Sequence, residues 1–143
     1  MEIYPLGHSS FRIKGKTATV VTDPYDPVML GLKFPKLDIV DIVTISHDHG
    51  DHNAVVNIPG APFVISQPGE YEVRGVTVIG VATFHDDKGG ADRGKNAVYN
   101  ITIDTVRVCH LGDLGHKLTD DQLDAIGDVD ILLIPVGGTY TIT

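Results

Sequence analysis

Cysteine is nearly absent: Cys109 stands alone, so no internal disulfide can form. A single thiol of this kind reads as a small buried apolar side chain, suited to a reducing cytosol. Long apolar runs are missing as well. The opening residues Met1-Glu2-Ile3-Tyr4-Pro5 hold no basic stretch leading into an apolar one, and no unbroken apolar segment reaches membrane-spanning length. These absences lead us to expect a soluble, cytoplasmic chain with no membrane partner. Positive charge is scarce: 11 Lys and Arg face 19 Asp and Glu, a formal net charge of −8. Neutralising phosphates takes clustered basic side chains, so nucleic acid is not the expected partner. There is no internal repeat, no low-complexity segment and no glycine-rich nucleotide fingerprint that follows a strand and opens a helix; Gly137-Gly138 reads as a turn.

What is present is enough for one domain. The 143 residues are 42% apolar, which allows a real core within a single domain, residues 1–143, and is too little for two ordinary ones. Short β-branched runs are punctuated by Gly, Pro and Asp. Residues 10–14 alternate polar and apolar, Gly15-Lys16 offers a tight turn, and residues 17–22 run on into Asp23-Pro24, so a hairpin is expected. Residues 39–45 are almost continuously apolar, as in a strand buried on both faces. Further strands are expected at residues 63–65, 75–84, 97–103, 106–111 and 130–136. Thr119-Asp120-Asp121-Gln122 has the form of a capping box and Gly127 of a stop signal, which predicts a short helix between them. Residues 139–143 resemble the N-cap of another helix. Periodicity alone supports a mixed α/β or β-rich domain.

Residues 46–52, Ser-His-Asp-His-Gly-Asp-His, put three imidazoles and two carboxylates into seven positions directly behind the apolar run. Neutral imidazole nitrogen and carboxylate oxygen are the ligands that zinc and its first-row neighbours accept. On an extended segment His47 and His49 point the same way and can share one ion. Asp51 and His52 lie past Gly50, which permits a sharp turn. Two neighbouring ions are therefore expected, with zinc as the default and manganese or iron as acceptable substitutes.

The run His47-Asp48-His49-Gly50-Asp51-His52 resembles the metal motif of the metallo-β-lactamase superfamily. Thr22-Asp23-Pro24-Tyr25 looks like its first motif, His85 at a strand end like its third, and Gly112-Asp113-Leu114-Gly115 like its fourth. The stretches Gly7-His8-Ser9-Ser10-Phe11, His110-Leu111-Gly112-Asp113-Leu114-Gly115-His116 and Pro135-Val136-Gly137-Gly138-Thr139-Tyr140-Thr141 are similar to the branch holding ascorbate-phosphate-lactonase-like and other metal-dependent hydrolases. This resemblance implies an αββα sandwich, incomplete at the C-terminus. It implies that His47, His49 and His85 hold one ion, that Asp51 and His52 hold a second, that Asp113 bridges them, and that Asp23 braces the metal loop from behind. In the family a later histidine serves the second ion, and the sequence ends before such a residue, so that ion is expected to be short of a ligand.

The activity so implied is hydrolysis of a small, anionic ester, lactone or phosphoester by a metal-activated water, with Asp51 orienting that water. His8 and His116 are candidate substrate contacts, with a hydrogen-bonded packing role as the alternative for each. Arg93 and Lys95, with Lys88, lie in a glycine-rich loop after His85 that reads either as a mobile cationic gate for an anionic substrate or as a solvated loop. The alternative is a metal-binding module without turnover, or a fragment whose site is completed by a second chain, and a homo-oligomer is left open.

Overall fold

The alternation in the first 22 residues builds three antiparallel strands in the computed structural model, which describes residues 1–142. They are β1 (Glu2–Gly7), β2 (Ser10–Lys14) and β3 (Thr19–Thr22), followed by β4 (Ile42–Thr44) and β5 (Phe63–Ile65). Their order in one sheet is β1-β2-β3-β4-β5, with β3, β4 and β5 parallel. A second five-stranded sheet has the order β10-β9-β8-β7-β6, from β6 (Gly69–Val73), β7 (Val76–Phe84), β8 (Lys95–Ile103), β9 (Val106–His110) and β10 (Ile131–Leu133). Only β10 runs parallel to its neighbour there.

Each sheet turns an apolar face inward. Ile13, Val20, Ile42 and Ile65 from the first sheet meet Val78, Tyr99, Ile101 and Val108 from the second in one buried cluster. Burial at about 25 cal/mol per Å² of apolar surface makes this shared layer the main stabilising contribution. The outer face of the first sheet, with Leu6, Val21, Val43 and Ile45, is covered by Phe34, Leu37, Val40, Val55 and Ile58 from the connections around β4. The outer face of the second, with Val98 and Cys109, is covered by Leu111, Leu114 and Ile126. Ile126 belongs to α2 (Asp120–Ile126), whose N-cap Thr119 forms the expected capping box with Gln122. The layers are those of an αββα sandwich, with thin helical layers: α1 (Pro27–Leu30) is one turn long.

Several expectations need correction. The run at residues 39–45 forms a strand only over β4, whose three residues are fully enclosed, while Ile39 is 72% exposed in the connection before it. β10 is shorter than residues 130–136 and half-exposed, because it is the outermost strand of its sheet and Leu132 and Ile134 face outward. Residues 139–141 form bends rather than a helix, and Thr143 lies outside the described residues. β1 and β6, both sheet edges, were not expected. No helix among the described residues is long and apolar enough to cross a membrane.

Candidate metal centre

Parallel pairing of β3 with β4, Thr22 opposite Thr44, brings Asp23 beside Ser46 as both strands end. The ends of β7 and β9 supply His85 and Asp113 to the same edge of the sandwich. Two hydrogen bonds cross between the sheets there: the Ala97 N–H donates to Ser46 O at 2.7 Å, and the Tyr99 hydroxyl to Ile45 O at 2.9 Å. Candidate ligands from both sheets are thereby held at fixed separation.

Asp23 is wholly buried and accepts three hydrogen bonds: from the Ser46 N–H, from the Ser46 hydroxyl and, at 2.7 Å, from His52 Nδ1. Because Ser46 gives its proton to Asp23, its oxygen accepts from His47 Nδ1 at 2.8 Å. His85 Nδ1 donates to the Tyr140 carbonyl at 3.1 Å. With all three Nδ1 atoms occupied as donors, Nε2 is the nitrogen each ring has left for a metal, which on His52 displaces a proton. All three aim at Asp113 Oδ2, which lies 3.4 Å from His47 Nε2, 3.1 Å from His52 Nε2 and 3.0 Å from His85 Nε2. For His47 and His52 these distances allow charge attraction, yet both Nε2 atoms are buried without a hydrogen-bond partner. Buried polar atoms are seldom left so.

The donor atoms fall into two groups, each within 4.8 Å: His47, His49 and His85, and His8, Asp51 and His52. A third grouping, Asp23 with His47 and His52, is accounted for by the hydrogen bonds just described. Burial opposes charge on His52, but the Asp113 and Asp23 carboxylates beside it push its pKa up to about 10. Burial and then the neighbouring His52 charge bring His47 down to about 4. Burial favours neutral Asp113, and the facing imidazoles nevertheless hold it down at about 2. Nitrogen lone pairs and carboxylates crowded in this way fit one or two divalent cations.

Asp113 is placed by Asn96, whose side-chain oxygen accepts from the Asp113 N–H at 3.1 Å while its amide donates to Leu111 O. Gly112 is required beside it: φ is +60°, and a Cβ there would come within 2.4 Å of Ser46 Cβ. Neither Asn96 nor Ser46 was singled out by motif: Ser46 follows the end of β4 and Asn96 is the second residue of β8, and a buried polar side chain at a strand end is the signal that marks both.

A cleft of about 670 Å³ opens over the cluster, lined by His8, His49, Asp51, His85 and Asp113 at its floor. Phe11, Leu133, Ile134, Pro135, Val136 and Tyr140 form its apolar wall, and Arg93 is the one Lys or Arg among the described lining residues. The Arg93 guanidinium lies 5.0 Å over the Tyr140 ring. The loop carrying it is pinned, since the Asp86 carboxylate accepts backbone N–H bonds from Arg93, Lys88, Gly90 and Asp92, which hold its pKa well below the usual range. Lys88 is tied to Asp92 at 3.0 Å. The structure does not bring Lys95 or His116 to the cleft: Lys95 is exposed at the start of β8, and His116 Nε2 accepts the Phe84 N–H at 3.1 Å as a backbone brace. His110 is buried against Phe11 and Ser9.

The beta-lactamase superfamily domain matches residues 2–143. The chain belongs to the beta-lactamase superfamily. Within it, the chain is 44% identical to a provisionally assigned zinc-dependent hydrolase of the metallo-beta-lactamase superfamily from Thermotoga maritima, with a TM-score of 0.80. That match covers 98% of this chain and 63% of the Thermotoga chain, so the present chain spans under two thirds of its length. A metal-dependent hydrolase from Thermococcus onnurineus is 29% identical over 167 residues, covering 95% of this chain and 72% of its own length. A provisionally assigned metal-dependent hydrolase from Parabacteroides distasonis, 21% identical with a TM-score of 0.75 over 99% of this chain and 72% of its own, shares the superfamily's fold.

Proposed function

We propose that the chain forms the metal-holding core of a hydrolase acting on a small anionic ester, lactone or phosphoester. The observation that carries this reading is the convergence of His47, His52 and His85 Nε2 on one Asp113 oxygen, with every Nδ1 anchored from behind. His47, His49 and His85 would hold one ion and Asp51 and His52 a second, with the Asp113 carboxylate beside both sets, and zinc is the ion proposed. A divalent cation there supplies a Lewis acid and lowers the pKa of water to about 7.

The chain's own residues do the rest. Arg93, held against Tyr140, takes the anionic end of the substrate and aligns the scissile group over the floor of the cleft. The wall from Phe11 to Val136 excludes bulk water and strengthens that charge contact. Asp51, partly exposed on the floor, accepts the proton of the attacking water as its oxygen adds to the carbonyl or phosphoryl centre. The same proton passes to the departing alkoxide when the ester bond breaks.

The decisive test combines elemental analysis of protein purified without chelator with assays on lactone, carboxyl ester and phosphoester panels. Bound metal with turnover that chelator removes is expected. Metal without turnover on any panel would reduce the chain to a metal-binding module. Replacing Arg93 by Ala should raise KM for an anionic substrate at least tenfold, on the order of 1.4 kcal/mol, and leave a neutral analogue within about twofold. Equal effects on both would remove Arg93 from the anion site.

A further inference from the structure

His8 stands apart from the metal-motif residues in the chain and beside them in space. It occupies the turn between β1 and β2, where the ladder shifts register between Pro5 and Gly7. Gly7 has φ +114°, and a Cβ there would meet the Tyr25 hydroxyl at 2.9 Å. His8 itself has φ +51°, a conformation that L residues adopt at a steric cost and that Gly or Asn would take more readily. The turn thus holds a histidine where backbone preference asks for another residue. What it gains is position: His8 Nε2 lies 2.9 Å from Asp51 Oδ2, and its ring stands edge-on to His52 with centroids 5.0 Å apart.

We propose that His8 is a ligand of the second ion, forming with Asp51 and His52 a three-residue set drawn from two elements. The inference rests on the two-ion reading above and adds a ligand to it. The donor atoms of His8, Asp51 and His52 lie within 4.8 Å of one another. His52 Nε2 is buried and lacks a hydrogen-bond partner, and with Nδ1 taken by Asp23 it is the nitrogen left for an ion in the shared space. Asp51 Oδ2 faces both imidazoles, at 2.9 Å from His8 and 3.3 Å from His52. Two imidazoles and a carboxylate form a donor set that zinc accepts, with room left for water or substrate. The alternative role, in which His8 only donates a hydrogen bond to Asp51, predicts a weaker dependence of metal binding on this residue.

The test titrates chelated, dialysed protein with Zn²⁺ by calorimetry and with Co²⁺ by visible absorption, comparing wild type with His8→Asn and His8→Gly. Both replacements tolerate the positive φ, and unchanged circular dichroism in chelator shows that they fold. Wild type should bind two ions. His8→Asn should keep the first affinity and lose more than about 100-fold at the second, beyond the 10–100-fold expected for an outer hydrogen-bonding partner. Millimolar imidazole should restore the second Co²⁺ band in His8→Gly by entering the vacated space. A second affinity within tenfold of wild type in both variants would overturn the role of His8 while leaving two ions standing. Binding of one ion or none by wild type would overturn the two-ion reading itself, and the His8 assignment with it.

Discussion

Asp23 carries a burden unlike that of any other carboxylate in the chain: without touching the cleft, it fixes the tautomers of His47 and His52 through Ser46 and directly. Removing it as Asp23→Ala leaves buried donors unpaired and should cost roughly 3–5 kcal/mol, read as a lower urea midpoint in chelator, together with loss of metal affinity. Stability should also depend on pH in the chelated protein. Unfolded histidine titrates near 6.5, and His47 in the fold titrates at about 4. Between those values the unfolded chain binds a proton that the folded one does not, so acidification destabilises. His52 titrates at about 10 in the fold; its contribution is complete below about 6.5 and fades as pH rises from there. Thermal unfolding in chelator should therefore show maximal Tm near pH 6.5, and a steady climb from pH 5 to 8.5 would contradict it. At this scale the sequence revealed residues whose spacing is local. His47, His49, Asp51 and His52 share one loop, whereas the closeness of His8 to Asp51 spans 43 positions, which no local pattern encodes.

Among the elements, what could be read ahead follows how each strand is buried. β7 and β8 are long, branched and central, so their patterns were clear. β1 contains Pro5, which a central strand excludes and an edge strand tolerates. β6 is mostly exposed and pairs on one side only, so its composition resembles a loop. Conversely, residues 39–41 looked like strand because apolar residues also serve in a connection that packs over a sheet, as Val40 does. The capping box of α2 was legible because its chemistry is complete within four residues. Thr119→Ala should lower stability by about 1 kcal/mol and leave metal content unchanged, since α2 covers the outer face of the second sheet away from the cleft. Glycine and charge dominate residues 85–96, and in sequence that composition fits a mobile gate or a solvated loop equally well. Its anchor, a single buried Asp86 taking four N–H groups, becomes visible only when the loop is closed.

At the scale of the molecule, the first sheet provides His47, His49, Asp51 and His52, and the second provides His85 and Asp113. Any ion at the centre ties one sheet to the other, so Zn²⁺ should raise Tm by several degrees. At a thousandfold excess over Kd the stabilisation is about 4 kcal/mol, and no Tm change on zinc addition would show that the donors do not bind it. Yet the two sheets are also joined at that edge by the Ala97–Ser46 and Tyr99–Ile45 hydrogen bonds, which involve no ligand atom. An emptied protein consequently keeps the shape of a rigid cup. Reloading should then proceed at the pace at which an arriving ion sheds its water, with no refolding step to wait for.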